Sequence, residues 1–263
     1  MHFQYKAIVV VQVQTGDDYD VPRELYYSTM HNVNELRPES FRVAAVTSRE
    51  ADDDSDGLVD RLILKFALPI KDERVYGVQA LIFLNYRLQN HVKVDMESLA
   101  YVHHDAGLPA SSYSSRGDLM LRQNMPMNVE QEFTALYSND DLLGMDMNEA
   151  AIGISARNSN IMNILERYKS RDIATDYLER FPVWTRHAGE DKDNMDTFDL
   201  RVTIDVPRLQ QVIFVPTLQE VLLEAWMRYL SLLVIAVYLM RRLFHFVYTN
   251  RIANSHIKID KLD

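Results

Sequence analysis

The hydrophobic positions of this chain follow two different patterns. From Phe3 to Val215 they mostly alternate with polar ones, or form short unbroken runs rich in β-branched residues. These are the patterns of half-buried and fully buried strands. Phe3–Gln14 is the first strand, with the unbroken run Ala7–Val13 inside it, and Gly16-Asp17-Asp18 reads as a turn. Tyr19–Ser40 is a long polar stretch containing proline, anchored by Leu25, Tyr26 and Tyr27, and Phe41–Thr47 is the next strand. Glu50–Asp60 is an acidic loop. Arg61–Leu68 then sets Leu62, Leu64, Phe66 and Leu68 on one face of a strand that Pro69 ends. Val75–Leu88 and His91–His103 are longer runs joined around Gln89-Asn90 as a hairpin. Asp105–Ser115 has the Gly, Pro and Ser content of a loop. Asp118–Gln123 and Phe133–Tyr137 are short strands, Asn139–Glu149 is an acidic surface loop, and Ala150–Arg157 is a strand or connector. Asn158–Lys169 has helical spacing, with Ser159 as cap and Ile161, Ile164, Leu165 and Tyr168 on one face. Ile173–Phe181 is predicted as a second short helix, Gly189–Asp196 as a charged loop, and Phe198–Val206 and Gln211–Val215 as the last strands. Many strands, few helices and no βαβ rhythm predict a mainly β fold, an antiparallel sandwich-like domain with one or two short helices.

The pattern changes after Thr217. Leu218–Tyr248 is apolar on nearly every face, and the twelve positions from Tyr229 to Met240 carry no charge. Such a helix is either buried in a core or crosses a membrane. An apolar run this short suits a core helix, whereas a span takes about 20 residues. The flanks favour the span. Glu224 is placed to pair with Arg228, which can snorkel toward head groups. Trp226 and Tyr229 lie at one boundary, and Arg241, Arg242 and His245 at the other among Phe244, Phe246 and Tyr248. With that snorkelling, about Val221 to Val247 can cross a bilayer of roughly 30 Å. Basic residues outnumber acidic ones after Met240, which predicts a cytoplasmic tail. The expected organisation is an exoplasmic β-rich domain at 1–216, a transmembrane helix with flanks at 217–250 and a cytoplasmic tail at 251–263. No signal-peptide pattern precedes the first strand, so an upstream apolar segment of about 20 residues is expected in the full transcript.

Charge narrows the function classes. The 263 residues carry a formal net charge of -10, and the tail is basic, so the body is more acidic still. That argues against nucleic acid, whose phosphates need a basic face. With no cysteine, disulfides and thiolate metal sites are ruled out. None of the G-x-S-x-G, P-loop, H-E-x-x-H or G-x-G-x-x-G patterns occurs, so neither an enzyme nor a small-molecule substrate is expected.

The most specific local motif runs from Asp52 to Asp60. Asp52, Asp54 and Asp56 alternate, Gly57 follows, and Asp60 stands at the ninth loop position, as in most of an EF-hand calcium loop. Ca²⁺ takes six to eight oxygens, and alternate side chains converge when a glycine turns the chain sharply. The candidate ligands are the carboxylates of Asp52, Asp54, Asp56 and Asp60 with the Leu58 carbonyl. The bidentate Glu of the twelfth position is replaced by Ile63, so affinity should be weak; a solvated acidic turn is the other reading. His103-His104-Asp105 reads as a strand-end polar cluster whose imidazoles diverge, because neighbouring strand residues face opposite sides. Arg116-Gly117-Asp118 reads as a turn opening a strand.

Val46-Thr47-Ser48-Arg49-Glu50, the acidic loop and Asp60–Leu68, then Gly77-Val78-Gln79 with Tyr86-Arg87-Leu88, keep the order seen in one family. So do Gly117-Asp118-Leu119 with Leu121 and Pro126, and the terminal helix with Ala225-Trp226, Tyr229 and Ser231. Together they resemble the transmembrane protein 231 family. The resemblance implies a ciliary membrane protein with two transmembrane helices bracketing an extracellular β-rich domain. It implies a place in the Meckel syndrome module of the transition zone, beside tectonics, B9-domain proteins and other membrane members. Asp52, Asp54, Asp56, Gly57 and Asp60 map onto an acidic-Gly-Asp pattern in the family's loop. A soluble calcium-stabilised sandwich with the apolar helix in its core is the alternative.

Overall fold

The computed structural model describes residues 1–15, 22–55, 57–71, 73–89, 92–128, 133–137, 142–143, 160–186, 197–207 and 209–250. The predicted turn at 16–18, the connector at 150–157, Ser159 and the charged loop at 189–196 lie outside them, as do Asp56 and Asn90. The chain forms two compact units, Met1–Phe214 and a second that begins at Val215. In chain order the elements are β1 (His2–Gln14), β2 (Arg23–Ser28), α1 (His31–Asn34), β3 (Ala45–Ala51), β4 (Arg61–Pro69), β5 (Arg74–Leu88), β6 (Val94–Ala110), β7 (Ser112–Gln123), β8 (Met127–Asn128), β9 (Thr134–Leu136), α2 (Ile161–Lys169), β10 (Ile173–Glu179), β11 (Val183–Thr185), β12 (Thr197–Asp205), β13 (Phe214–Val215) and α3 (Leu218–Thr249).

Among the described residues two large sheets make the body, one ordered β2-β1-β5-β6-β9 and the other β10-β7-β12-β4-β3, with β11 also beside β7, and β8 and β13 form a separate two-stranded sheet. The fold is mainly β and sandwich-like. Its hairpin-connected neighbours pair antiparallel, whereas β7 with β12 and β6 with β9 pair parallel. One core lies between the sheets, with Val9, Val11, Ala80 and Ile82 from the first meeting Leu62, Leu64, Phe66, Leu200 and Val202 from the second. A second core lies on the far face of the first sheet. There Ile8, Val10, Leu81 and Phe83 are covered by Val33 of α1 and by Ile164 and Tyr168 of α2. Burial on both faces is why β1 and β5 carry unbroken apolar runs while β4, covered on one face, alternates. Leu142 and Leu143 also pack into this second core, fully buried, which corrects the reading of 139–149 as a surface loop at those two positions.

Tyr168 fixes α2 to the first sheet. Its buried hydroxyl accepts from the Leu99 N–H at 3.1 Å and the Thr175 N–H at 2.7 Å, and donates toward the Thr175 carbonyl at 3.1 Å. Asn160, in place of the expected Ser159, caps the helix by accepting from the Met162 N–H at 3.2 Å.

Further expectations are corrected. Ile173–Phe181 is not a helix: β10 pairs residue by residue with β7 from Ile173↔Gln123 to Glu179↔Gly117. Its apolar spacing satisfies both periods over so short a window, and the pairing partner decides. Asp105–Ser115 is not a loop, because β6 runs to Ala110 and β7 starts at Ser112. Its Gly and Pro sit where the pairing with β5 jumps from Gly77↔Asp105 to Val75↔Ala110, and a bulge tolerates a residue without an N–H. The strand predicted at Phe41–Thr47 lies at Ala45–Ala51, and within the polar stretch 19–40 the expected anchors Leu25, Tyr26 and Tyr27 belong to a strand, β2.

Tyr168→Phe is expected to leave two buried N–H groups unsatisfied and to cost about 2–4 kcal/mol in denaturant unfolding. A loss below about 0.5 kcal/mol would show that other acceptors replace the hydroxyl.

Candidate functional site

The acidic loop is the turn of a hairpin. Ala51 and Arg61 are the last paired residues of β3 and β4, and the Asp60 N–H donates to the Ala51 carbonyl at 3.0 Å. Ser55 and Gly57 have positive φ, 61° and 83°. At Gly57 that conformation costs nothing, because no Cβ is present. Two carboxylates are held by the loop's own backbone: Asp52 Oδ2 accepts from the Gly57 N–H at 2.9 Å and Asp60 Oδ2 from the Asp53 N–H at 2.9 Å. One oxygen each of Asp52, Asp54 and Asp60 lies within 4.8 Å of the others. Ligands on opposite sides of one Ca²⁺ stand about 4.6–5.2 Å apart, so the spacing fits a shared ion. An all-oxygen donor set suits a hard cation. Asp52 and Asp54 are exposed and Asp60 is half-buried; Leu58 is in the same loop with its side chain exposed. Of the sequence-predicted ligands, the structure brings Asp52, Asp54 and Asp60 together, and Asp56 lies outside the described residues.

The loop is tied to the body by a charged clamp that the sequence did not disclose. Asp205, at the end of β12, receives Arg61 Nε on Oδ1 at 2.7 Å and Arg116 Nε on Oδ2 at 2.6 Å. Arg61 also reaches Asp53 at 3.0 Å. The Val206 N–H donates to the Asp60 carbonyl at 2.8 Å. Burial pushes the Asp205 carboxyl up, but the hydrogen bonds and charges of Arg116 and Arg61 outweigh it and hold the carboxyl below its ordinary range.

The remaining candidates carry no ligand chemistry. His103 and His104 diverge as neighbouring strand residues must. His103 pairs with Asp105 at 3.0 Å, and His104 stacks on Tyr113 with centroids 4.8 Å apart and lies against Trp184. Arg116-Gly117-Asp118 is not a turn. It lies inside β7, where a Cβ on Gly117 would overlap the Leu178 backbone, Arg116 joins the clamp and Asp118 pairs with Arg180. Beside it Glu179 accepts from the Tyr113 hydroxyl at 2.5 Å and from Ser115, a satisfied polar cluster. A cleft of about 740 Å³ is lined by Tyr86, Val92, Val212 and Phe214 beside Asp60. Its hydroxyl is spoken for: Tyr86 donates to Gln210 Oε1 at 2.9 Å, and Gln210 Nε2 donates to the Leu119 carbonyl at 2.9 Å.

The second unit holds α3. Thr217 and Glu220 form a capping box, with Thr217 Oγ1 accepting from the Glu220 N–H at 3.3 Å and Glu220 Oε2 from the Thr217 N–H at 3.0 Å. Arg228 pairs with Glu224 as their spacing predicts, and the Ser231 hydroxyl folds back onto the Arg228 carbonyl at 2.8 Å. None of the most apolar window of this 32-residue helix is buried. The 32 residues rise about 48 Å, more than a hydrocarbon core of roughly 30 Å requires.

A sandwich body with its own cores, and a 32-residue helix whose most apolar window is not buried, define a membrane protein with one candidate span near the C-terminus among the described residues. The family model for Transmembrane protein 231 matches residues 1–257, and the chain belongs to that family. It is similar to Transmembrane protein 231 of Xenopus tropicalis, 27% identical over 261 residues that cover 97% of this chain and 76% of the relative. The Homo sapiens relative of the same name is 26% identical over 97% of this chain and 76% of its own length. That of Mus musculus is 28% identical over 88% and 70%. No solved structure matches the chain.

Because the Asp205 carboxyl is depressed in the folded state, its contribution to stability is present above the unfolded Asp value, near 3.9, and is lost as pH falls through the folded value. Asp205→Asn is expected to cost about 2 kcal/mol at neutral pH. It should also flatten the fall in melting temperature between about pH 5 and pH 3. Parallel wild-type and variant pH profiles would remove the clamp from the account.

Proposed function

We propose that this protein is a non-enzymatic membrane subunit of the ciliary transition zone, contributing to the diffusion barrier that controls ciliary membrane composition and to cilium assembly. The observation that supports its membrane part is α3, capped at its start and without protein cover over its apolar window. The transition-zone part is supported by membership of the Transmembrane protein 231 family and by what that resemblance implies. In this reading the body is exoplasmic, the basic tail is cytoplasmic, and the partners are lipid, tectonics, B9-domain proteins and other transition-zone membrane proteins. The alternative, a soluble sandwich with α3 in its core, needs a shielded helix, and the helix window is unshielded.

The acidic hairpin loop is proposed to bind Ca²⁺ weakly and structurally, through Asp52, Asp54, Asp56 and Asp60 with the Leu58 carbonyl. The convergence of three of these carboxylates supports it. No reaction step is assigned to the ion; it neutralises like charges that the loop crowds together.

A tagged full-length chain in ciliated cells is expected to resist carbonate extraction and to concentrate at the ciliary base. Release by carbonate would refute the membrane reading, and a uniform endoplasmic-reticulum signal would refute the transition-zone one. For the loop, calcium is expected to raise the melting temperature of the wild-type chain over chelator. The Asp54→Ala, Asp60→Ala double variant should lose that difference. Superimposable wild-type curves would identify the loop as a plain acidic turn.

A further inference from the structure

The polar side chains of α3 are not scattered. Glu224, Ser231, Tyr238 and His245 recur at intervals of seven residues, and Arg228, Arg242 and Thr249 fall in a second such register whose remaining member is the apolar Ile235. The two sets interleave at spacings of four and three, the a/d arrangement of a left-handed coiled coil. At 100° per residue they occupy one sector of about 100° along the whole helix. Glu220 falls in the same sector; of the other polar side chains, Gln219, Trp226, Tyr229, Arg241 and Tyr248, all toward the two ends, lie outside it. The opposite face is Leu222, Leu233, Ala236, Met240 and Val247. Polar side chains in a membrane helix face protein or water, because lipid offers them no partner.

We propose that this seam docks a different membrane helix in a left-handed crossing of about 20°, and that the partner carries a carboxylate at the level of Arg242 and His245. The charge order selects this occupant over a second copy. At the Glu220 end the stripe holds two acids and one base, with Arg228 already paired to Glu224. From Ala225 to Ile259 the chain has no acidic residue to answer Arg242. A parallel second copy would stack Arg242 on Arg242, and like charges directly opposed repel. Ser231 and Tyr238 supply hydrogen-bonding groups at mid-depth, where interhelical hydrogen bonds set register.

This inference rests on the membrane reading of α3. The full chain is therefore tested first for retention after carbonate extraction of native membranes, which separates failure of that reading from failure of this one. A photoreactive phenylalanine analogue then replaces Ile235 on the seam or Leu233 on the far face, and adducts are sequenced by mass spectrometry. The expected result is an Ile235 adduct to a membrane-helix peptide of another protein, with a carboxylate within a turn of its tail-side end, while Leu233 gives lipid adducts. Arg242→Glu should reduce the Ile235 protein adduct about tenfold, and Ser231→Ala about threefold, without loss of membrane retention. An adduct of twice the chain mass, an adduct within the chain to a segment upstream of the body, lipid adducts at both positions, equal protein adducts at both, or a partner peptide without the carboxylate would each overturn the proposal.

Discussion

The constraint on which the rest depends is the uncovered apolar surface of α3. Leucine, isoleucine, valine and aromatic side chains stand out from it on every side but one, and each would cost roughly 1.5–3 kcal/mol to keep in water. A helix can meet lipid in this way because its backbone groups are satisfied internally. Its ends show the same economy: the Thr217–Glu220 box closes the first turn, and the Asn250 side chain closes the last by donating to the Phe246 carbonyl at 3.0 Å. The helix therefore needs no protein to complete its hydrogen bonds. Its apolar side chains need only an apolar solvent.

The body, in contrast, has cores of its own. Its first sheet is covered on both faces, by the second sheet and by the α1–α2 layer, and the Tyr168 hydroxyl joins that layer to two strands at once. No disulfide is available, so core packing and charge pairs do the fastening. The Asp205 clamp matters in that setting. It joins the start of β4, the middle of β7 and the end of β12 at one carboxylate, and through Arg61 it also holds the acidic loop.

Elements whose side-chain period is unambiguous could be read from the sequence. β1, β4, β5 and β12 lie within a residue or two of their predicted limits, and α3 was plain from composition. β10 was not, because Ile173, Ala174, Tyr177 and Leu178 suit a short helix as well as a strand. The edge strand β3 has Ser48 facing inward where an apolar residue would have marked it. The bulge in β6 hid behind Gly107 and Pro109, since loop composition and bulge composition are the same. The candidate loop was legible because glycine and alternating acids are local features. The clamp was not: Arg61, Arg116 and Asp205 are far apart in sequence, and only the pairing of β7 and β4 with β12 brings them together. The Thr217-x-x-Glu220 pattern was a local signal that the apolar run overshadowed.

A helix adapted to lipid alone would have no reason to keep its polar residues in step. An ideal helix drifts about 20° per seven residues, so a repeat of seven stays on one face only if the helix winds gently around something. The repeat in α3 runs from Glu224 to Thr249, over which the drift of a straight helix adds up to about 70°. Its contents also change with depth. Paired charges stand at the first end, Ser231 and Tyr238 in the middle, and Arg242 without an acid neighbour at the other. The body has its own cores, and the helix has an apolar window long enough for a bilayer. Partner choice must then come from the features that neither folding nor insertion requires, and on this helix those features are the polar seam and its charge order.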